Sequence, residues 1–239
     1  MIIHLKFKLV DEDTFKLDKE KVKIEIVNYM QKLLGYNFST HEFGNEGFII
    51  EEEIKKLINL IFLDKEYLNK FLFCLNFYRT TGKYELKLNV FRTIKEIFDK
   101  IADNLLINND KRIPGFLMIL SQTFYVTKEG KKYFLQKELC KKEFFRSTAF
   151  WSEHLDDMIK EELNKFEEES KRNKIVFSEQ NKKKKINEIL FSKLASLVAS
   201  INGFELEKEK VDEILLPLMD KYNISEDTKQ AIFSMIQAK

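Results

Sequence analysis

Along most of the chain, apolar positions recur at intervals of three and four. Val22, Ile26, Met30 and Leu33 fall on one stripe, with Asp18 placed to cap its start and Gly35 to stop its end, so the spacing predicts a first helix. Glu51-Glu52-Glu53 opens a second, in which Ile54, Leu57, Ile58 and Ile61 share a face and the carboxylates sit where the positive end of the helix dipole favours them. Asp64 caps a third over 65–79, carrying Leu68, Phe71, Leu72 and Leu75 and broken at Thr80-Thr81-Gly82. A fourth covers 87–106 through Val90, Phe91, Ile94, Ile97, Phe98, Ile101 and Leu105. Ile113-Pro114 then puts proline in a first turn, where its missing N–H costs nothing, ahead of the run Phe116 to Val126, which is apolar on nearly all sides.

Beyond Gly130 the pattern predicts a basic amphipathic helix over 131–142, with Tyr133, Phe134 and Leu139 facing inward. Another runs over 144–169 through Phe145, Phe150, Trp151, Leu155, Met158 and Ile159. The C-terminal part resumes with Ile186, Ile189, Leu190, Leu194, Leu197, Val198 and Ile201, closed by Asn202-Gly203. Helices over 207–221, containing Pro217, and 226–237, capped by Ser225, complete the series. Three stretches break the periodicity. Residues 2–10 alternate at period two, as a short strand or extended arm would. Residues 36–50 read as a loop, and 171–185 as a charged, flexible loop. The organisation expected is an N-terminal arm, helix and loop (1–50), a central helical array (51–170), the charged loop, and C-terminal helices (186–239) on the same core.

Composition agrees with an all-α chain. Seven Gly and two Pro among 239 residues are too few turn residues for a many-stranded sandwich or barrel, while 44% apolar residues and 22 Phe furnish a core. The fold class expected is an irregular multi-helix array, stacked in HEAT- or armadillo-like fashion, with well over half its residues helical. Cys74 and Cys140 lie in Phe- and Leu-rich surroundings without a CxxC pair and read as reduced core thiols. The N-terminus lacks the apolar block of a signal peptide, and no window offers 18 uncharged apolar residues. A cytoplasmic protein with no transmembrane segment is expected.

Little in the sequence points to chemistry. His4, His41 and His154 are far apart and form no HxxxH or HExxH pair, so no metal is expected. Trp151 three residues before His154 and Asp157 three after suit an imidazole beside a carboxylate on one helix face, but the favoured reading is a plain, partly exposed helix histidine. Neither GxxxxGK[ST] nor GxGxxG occurs, and the acidic pairs Asp156-Asp157 and Glu161-Glu162 occupy successive helix positions that point apart. No catalytic residue and no cofactor is assigned. Net charge is +2, which neither demands nor forbids a polyanionic partner. Two basic clusters stand out as a candidate interaction surface: Lys131, Lys132, Lys137, Lys141, Lys142 and Arg146, then Lys182, Lys183, Lys184 and Lys185. Such clusters suit anionic headgroups, phosphates or an acidic protein surface, and each also suits a plain solvated face.

Phe71-Leu72-Phe73-Cys74-Leu75-Asn76-Phe77-Tyr78-Arg79, Phe91-Arg92-Thr93-Ile94, Leu117 to Tyr125 with its Ser121-Gln122-Thr123-Phe124-Tyr125, Tyr133-Phe134-Leu135 and Ala149-Phe150-Trp151 follow one another in this order. The succession, over about 70–220, resembles the helical domain of the SET-binding-factor type, found behind the DENN module in myotubularin-related pseudophosphatases and in small stand-alone relatives. The resemblance implies a non-catalytic helical interaction module, an adaptor in membrane traffic or small-GTPase regulation, with a protein as partner. It carries no catalytic residue to this chain, which has neither the DENN module nor the phosphatase-like domain. The runner-up reading is a peripheral binder of anionic lipid or nucleic acid through the two lysine clusters. Of these, a weak contact with an anionic membrane is the secondary expectation, and nucleic acid is not an expected partner.

Overall fold

A computed structural model describes residues 19–44, 49–105, 112–173 and 178–236. Helices account for 75% of them, and the strands form only two short two-stranded sheets, so the chain is an all-α, multi-helix array. It divides between Lys83 and Tyr84 into two compact units. This boundary falls inside the segment 51–170.

The first unit is built on α1 (Lys19–Leu34), which packs against both α2 (Glu51–Ile61) and α3 (Lys65–Arg79). The predicted stripe of α1 is its buried face, with Val22, Ile26, Met30 and Leu33 set against Leu57 and Ile61 of α2 and Phe71, Leu72 and Leu75 of α3 among the buried residues. Gly35 ends α1 at φ 61°, a left-handed position that glycine takes without steric cost. Asp64 caps α3 as predicted, its carboxylate accepting from the Glu66 N–H at 2.9 Å. The stretch expected as a loop after Gly35 contains a small hairpin, β1 (Tyr36–Asn37) and β2 (Glu42–Phe43), pinned by Asn37, whose side chain accepts from the Ser39 N–H at 2.9 Å. Two residues per strand are too few for a period-two signal. The arm at 2–10 and the Asp18 cap lie outside the described residues.

In the second unit, α4 (Leu88–Leu105) comes close to its predicted span, whereas α5 (Arg112–Thr123) stops short of the end of the apolar run at Val126, whose last residues enter a strand. The basic helix expected over 131–142 is not formed. Tyr125 to Lys128 is β3 and Lys131 to Phe134 is β4, an antiparallel hairpin with Tyr125 opposite Phe134 and Val126 opposite Tyr133. Its two turn residues, Glu129 and Gly130, both take positive φ, 50° and 74°, as the tight hairpin turn that matches strand twist requires. Tyr84 to Leu86 runs beside β3: Leu86 N–H donates to the Tyr125 carbonyl at 2.8 Å and Tyr125 N–H to the Tyr84 carbonyl at 3.1 Å. That partner, forty residues away in sequence, satisfies backbone groups which a local reading assigns to a helix. Only Gln136–Leu139 of the expected helix is helical, a single turn called α6.

A 3₁₀ turn over Glu143–Arg146 leads into α7 (Thr148–Arg172), capped by Ser147, and α7 is followed by α8 (Glu179–Gly203), capped by Ser178. The charged loop expected over 171–185 is therefore largely helix, because nothing in Lys182 to Lys185 breaks one and Ser178 supplies a cap; residues 174–177 lie outside the described residues. α9 (Lys208–Lys221) and α10 (Glu226–Ser234) close the unit, with α7 packed on both α8 and α9. Trp151, 0% exposed, sits at the centre of an aromatic knot. Its indole N–H donates to the Phe145 carbonyl at 2.9 Å, and its ring lies 5.1 Å from Phe150 and 5.4 Å from Phe204, centre to centre.

Candidate functional site

The first lysine cluster separates into structural and free members. Lys142 bridges to α4, 3.3 Å from Asp99 and 2.9 Å from Asp103, and Arg146 donates to the Glu205 carbonyl at 2.9 Å, so both tie elements of the second unit together. Lys141 lies 3.9 Å from Glu138. Lys131, Lys132 and Lys137 are exposed on the hairpin and its exit. Lys132 covers the Tyr125 ring at 4.5 Å, and Lys128 and Lys137 cover Tyr133 at 4.6 and 5.6 Å. The Tyr133 hydroxyl donates to Glu138; that hydrogen bond, helped by burial, pushes the phenol up to about 12 and holds Glu138 below its usual range.

Lys182 to Lys185 occupy the first turns of α8, one step of 100° apart, and so point round the whole helix instead of forming one face. They belong to an arm. α7 has no fully buried residue after Ile159 and α8 has none before Ile189, so Lys160–Arg172 and Glu179–Glu188 lie outside the packed part of the unit. At 1.5 Å per residue the α7 part is roughly 20 Å long. A Glu162–Lys193 ion pair at 2.9 Å joins the two helices at its base. Limited trypsin digestion is expected to cut within this arm before it cuts at Lys131 or Lys132, since backbone held by few buried contacts opens at low free energy; mass spectrometry of the first fragments checks it.

A third surface was not legible as such. In the first unit, Phe73 and Phe77 lie one turn apart on α3, ring centres 6.4 Å from each other. Phe38 of the hairpin sets its edge on Phe77 at 6.0 Å, His41 tilts over Phe77 at 5.4 Å, and Tyr36 links Phe38 to Phe43 at 5.2 and 4.9 Å. This apolar patch stays open: Phe73 is 57% exposed and Phe43 41%. Lys83 lies over the Phe43 ring at 3.2 Å and Lys70 over Phe73 at 5.4 Å. Neither ammonium has a carboxylate within 4.0 Å among the described residues.

The residues with latent reactivity are locked into packing. Burial pushes the Cys74 thiol up to about 11 and raises that of Cys140, which keeps both protonated and poorly nucleophilic. His154 stacks on Phe150 at 5.7 Å and backs onto Gly115; burial lowers its pKa, with Asp157 opposing only in part, so the neutral ring is favoured. Among the described residues, no group of three His, Cys, Asp or Glu is placed to hold a metal ion, and no helix is long and apolar enough to cross a membrane.

Comparison with protein families, with curated proteins and with solved structures finds no match for the chain. The segments that carry the resemblance noted above fall on α3 (Phe71 to Arg79), α4 (Phe91 to Ile94), the end of α5 with the start of β3 (Leu117 to Tyr125), β4 with the residue after it (Tyr133 to Leu135) and the start of α7 (Ala149 to Trp151).

Proposed function

We propose that the chain is a non-catalytic helical protein-interaction module, and that the open aromatic patch of the first unit receives its partner. The observation that carries this reading is Phe73, a large ring left more than half exposed, 57%, inside a contiguous set of aromatic side chains. Exposed apolar surface of this kind costs solubility unless it is used, and aromatic side chains are what interfaces concentrate at their centres. The chemistry of the rim selects the partner. Lys70 and Lys83, held over ring faces with no carboxylate within 4.0 Å among the described residues, favour a segment that brings acidic residues beside a bulky apolar side chain. Nucleobases are disfavoured there, because the rings meet edge-on or tilted and their open faces are already occupied by ammonium groups. The setting that goes with this reading is an adaptor in membrane traffic or small-GTPase regulation, which rests on the resemblance to the SET-binding-factor type alone.

The test is selection of a displayed random peptide library on the immobilised full-length protein. Acidic peptides with an aromatic or large aliphatic anchor are expected to enrich. Their affinity should fall more than about tenfold in Phe73→Ser, a change of at least ~1.4 kcal/mol, with the melting temperature of the variant little changed because the ring is exposed. Enrichment without acidic character, or binding that Phe73→Ser leaves intact, overturns the assignment.

A further inference from the structure

The hairpin of the second unit leaves one edge of its sheet open. Along β3 the neighbour is Tyr84 to Leu86, where Glu85 bridges to Tyr125 in parallel and the flanking backbone groups take up the Tyr125 N–H and carbonyl. β4 has β3 alone beside it among the described residues. The Leu135 N–H donates to the Phe124 carbonyl at 3.1 Å, so alternation along the ladder makes Val126 with Tyr133 and Lys128 with Lys131 the hydrogen-bonded pairs that follow. Lys132 and Phe134 therefore turn their N–H and carbonyl groups away from β3, as Tyr125 does on the other side. Among the described residues no hydrogen bond from outside the hairpin reaches these four groups. An edge of this kind is a template for one more strand. We infer that the free edge of β4 receives an extended, acidic peptide segment of a partner protein, added as that strand.

Backbone groups give such an edge its affinity, and side chains choose the occupant. Lys132 shares a face of the hairpin with Phe134 and Tyr125, whose ring centres are 5.2 Å apart, and Lys131 shares the other with Tyr133. Lys131 and Lys132 are exposed, and Tyr133 and Phe134 are half-buried. Neither lysine has a carboxylate within ion-pair distance among the described residues. The acids nearby are otherwise placed: Glu138 is held by the Tyr133 hydroxyl, Glu129 is in the turn, and Glu85 lies beyond β3 on the opposite edge. Lys128 also faces Lys131 across the ladder, a like-charge pair that an acidic neighbour relieves. A second copy of β4 is disfavoured for the same reason, because it brings lysines alongside lysines. Nucleic acid has no ladder of N–H and carbonyl groups to match the edge. The segment that fits carries acidic residues beside Lys131 and Lys132 and a β-branched or aromatic residue beside Phe134, so that an acidic and an apolar position two apart share a face. None of the residues of the aromatic patch of the first unit enters this site.

Selection of a displayed library of random peptides, about eight residues long, on the full-length chain carrying Phe73→Ser tests this. That substitution disables the patch of the first unit, so the two readings fail separately. Acidic peptides with the alternation described are expected to enrich. Lys132→Pro should weaken them by about tenfold or more beyond Lys132→Thr. Both substitutions remove the charge, but only proline removes the outward N–H, and it spares the ladder to β3 because that N–H takes no part in it. With Lys132 retained, nuclear Overhauser contacts should join the backbone of the bound peptide to that of Lys132, Tyr133 and Phe134. The inference is overturned if no peptide enriches, if Lys132→Pro and Lys132→Thr bind alike, or if those backbone contacts are absent. It is equally overturned if a dimer that Lys132→Pro dissociates fills the edge, or if single-stranded DNA displaces the peptides at equal concentration.

Discussion

Trp151→Ala is expected to destabilise the protein by about 3–5 kcal/mol, the usual range for removing a fully buried large aromatic side chain. The indole is 0% exposed and is enclosed by Phe145, Phe150 and Phe204, so truncation opens a cavity at the point where the 3₁₀ turn, α7 and the end of α8 converge. It also strips the Phe145 carbonyl of its donor. A loss of this size is a large part of the 5–15 kcal/mol typical of a whole domain. Urea denaturation of the parent and the variant measures it. Trp151→Phe keeps an aromatic ring and most of the volume while losing the N–H and part of the indole, and should cost less than the alanine. In the parent, the emission should be blue-shifted and protected from acrylamide; a red-shifted, freely quenched indole would contradict the burial on which the prediction depends.

The second large effect centres on Asp156, which joins α7 to α9. Its carboxylate, 15% exposed, accepts from Lys160 at 2.7 Å, Lys221 at 2.5 Å and the Tyr222 hydroxyl at 2.6 Å. Asp156→Ala leaves the Tyr222 hydroxyl without that acceptor and should cost about 1.5–3 kcal/mol, the range for hydrogen bonds to an ionised group. Burial alone would raise the Asp156 pKa, but the three donors outweigh it and hold the carboxyl well below the usual carboxylate range. The resulting stabilisation is complete above the unfolded pKa of about 3.9 and drains away as the pH falls through that value toward the folded one. Tyr222 sets the opposite limit. Burial and its bond to Asp156 raise the phenol well above its ordinary pKa, so its contribution is complete below about pH 10 and is lost as the pH climbs past it. Melting curves against pH should therefore show an acid limb that Asp156→Ala flattens and an alkaline limb that Tyr222→Phe flattens.

Both of these sites rest on residues that sequence patterning treats differently. Trp151 announces itself, since Phe145, Phe150, Leu155 and Met158 give its neighbourhood more apolar area than a narrow stripe needs, and burial follows. Asp156 does not, because its partners Lys221 and Tyr222 are some sixty-five residues away, and in sequence it is one of a pair of helix carboxylates. Helix bounds were legible wherever a cap and a stripe agreed, as at Asp64 for α3 and Ser225 for α10. The hairpin at 125–134 was hidden for two physical reasons. Its turn is Glu129-Gly130 instead of the usual Asn-Gly or Asp-Gly, and its first strand gains backbone partners from Tyr84 to Leu86, which no local window contains. The aromatic patch was hidden by abundance. α3 carries Phe71, Leu72, Phe73, Cys74, Leu75, Phe77 and Tyr78 nearly in succession, and only its packing against α1 and α2 decides that Phe73 is the ring left facing water. Of the lysine clusters, sequence located the charge but not its use: Lys142 and Arg146 are structural ties, and Lys182 to Lys185 are spread round a helix.

One consequence of the arm concerns the time its amides stay closed. α7 is continuous in hydrogen bonding from Thr148 to Arg172, yet its buried contacts end at Ile159. Helical hydrogen bonds backed by half-buried contacts open at lower free energy than those over a buried core, so the C-terminal half of α7 and the first turns of α8 can fray while Trp151, Leu155 and Ile159 remain seated. Deuterium should therefore enter a single helix in two classes: within the short times typical of isolated helices beyond Lys160, and only through global opening before it.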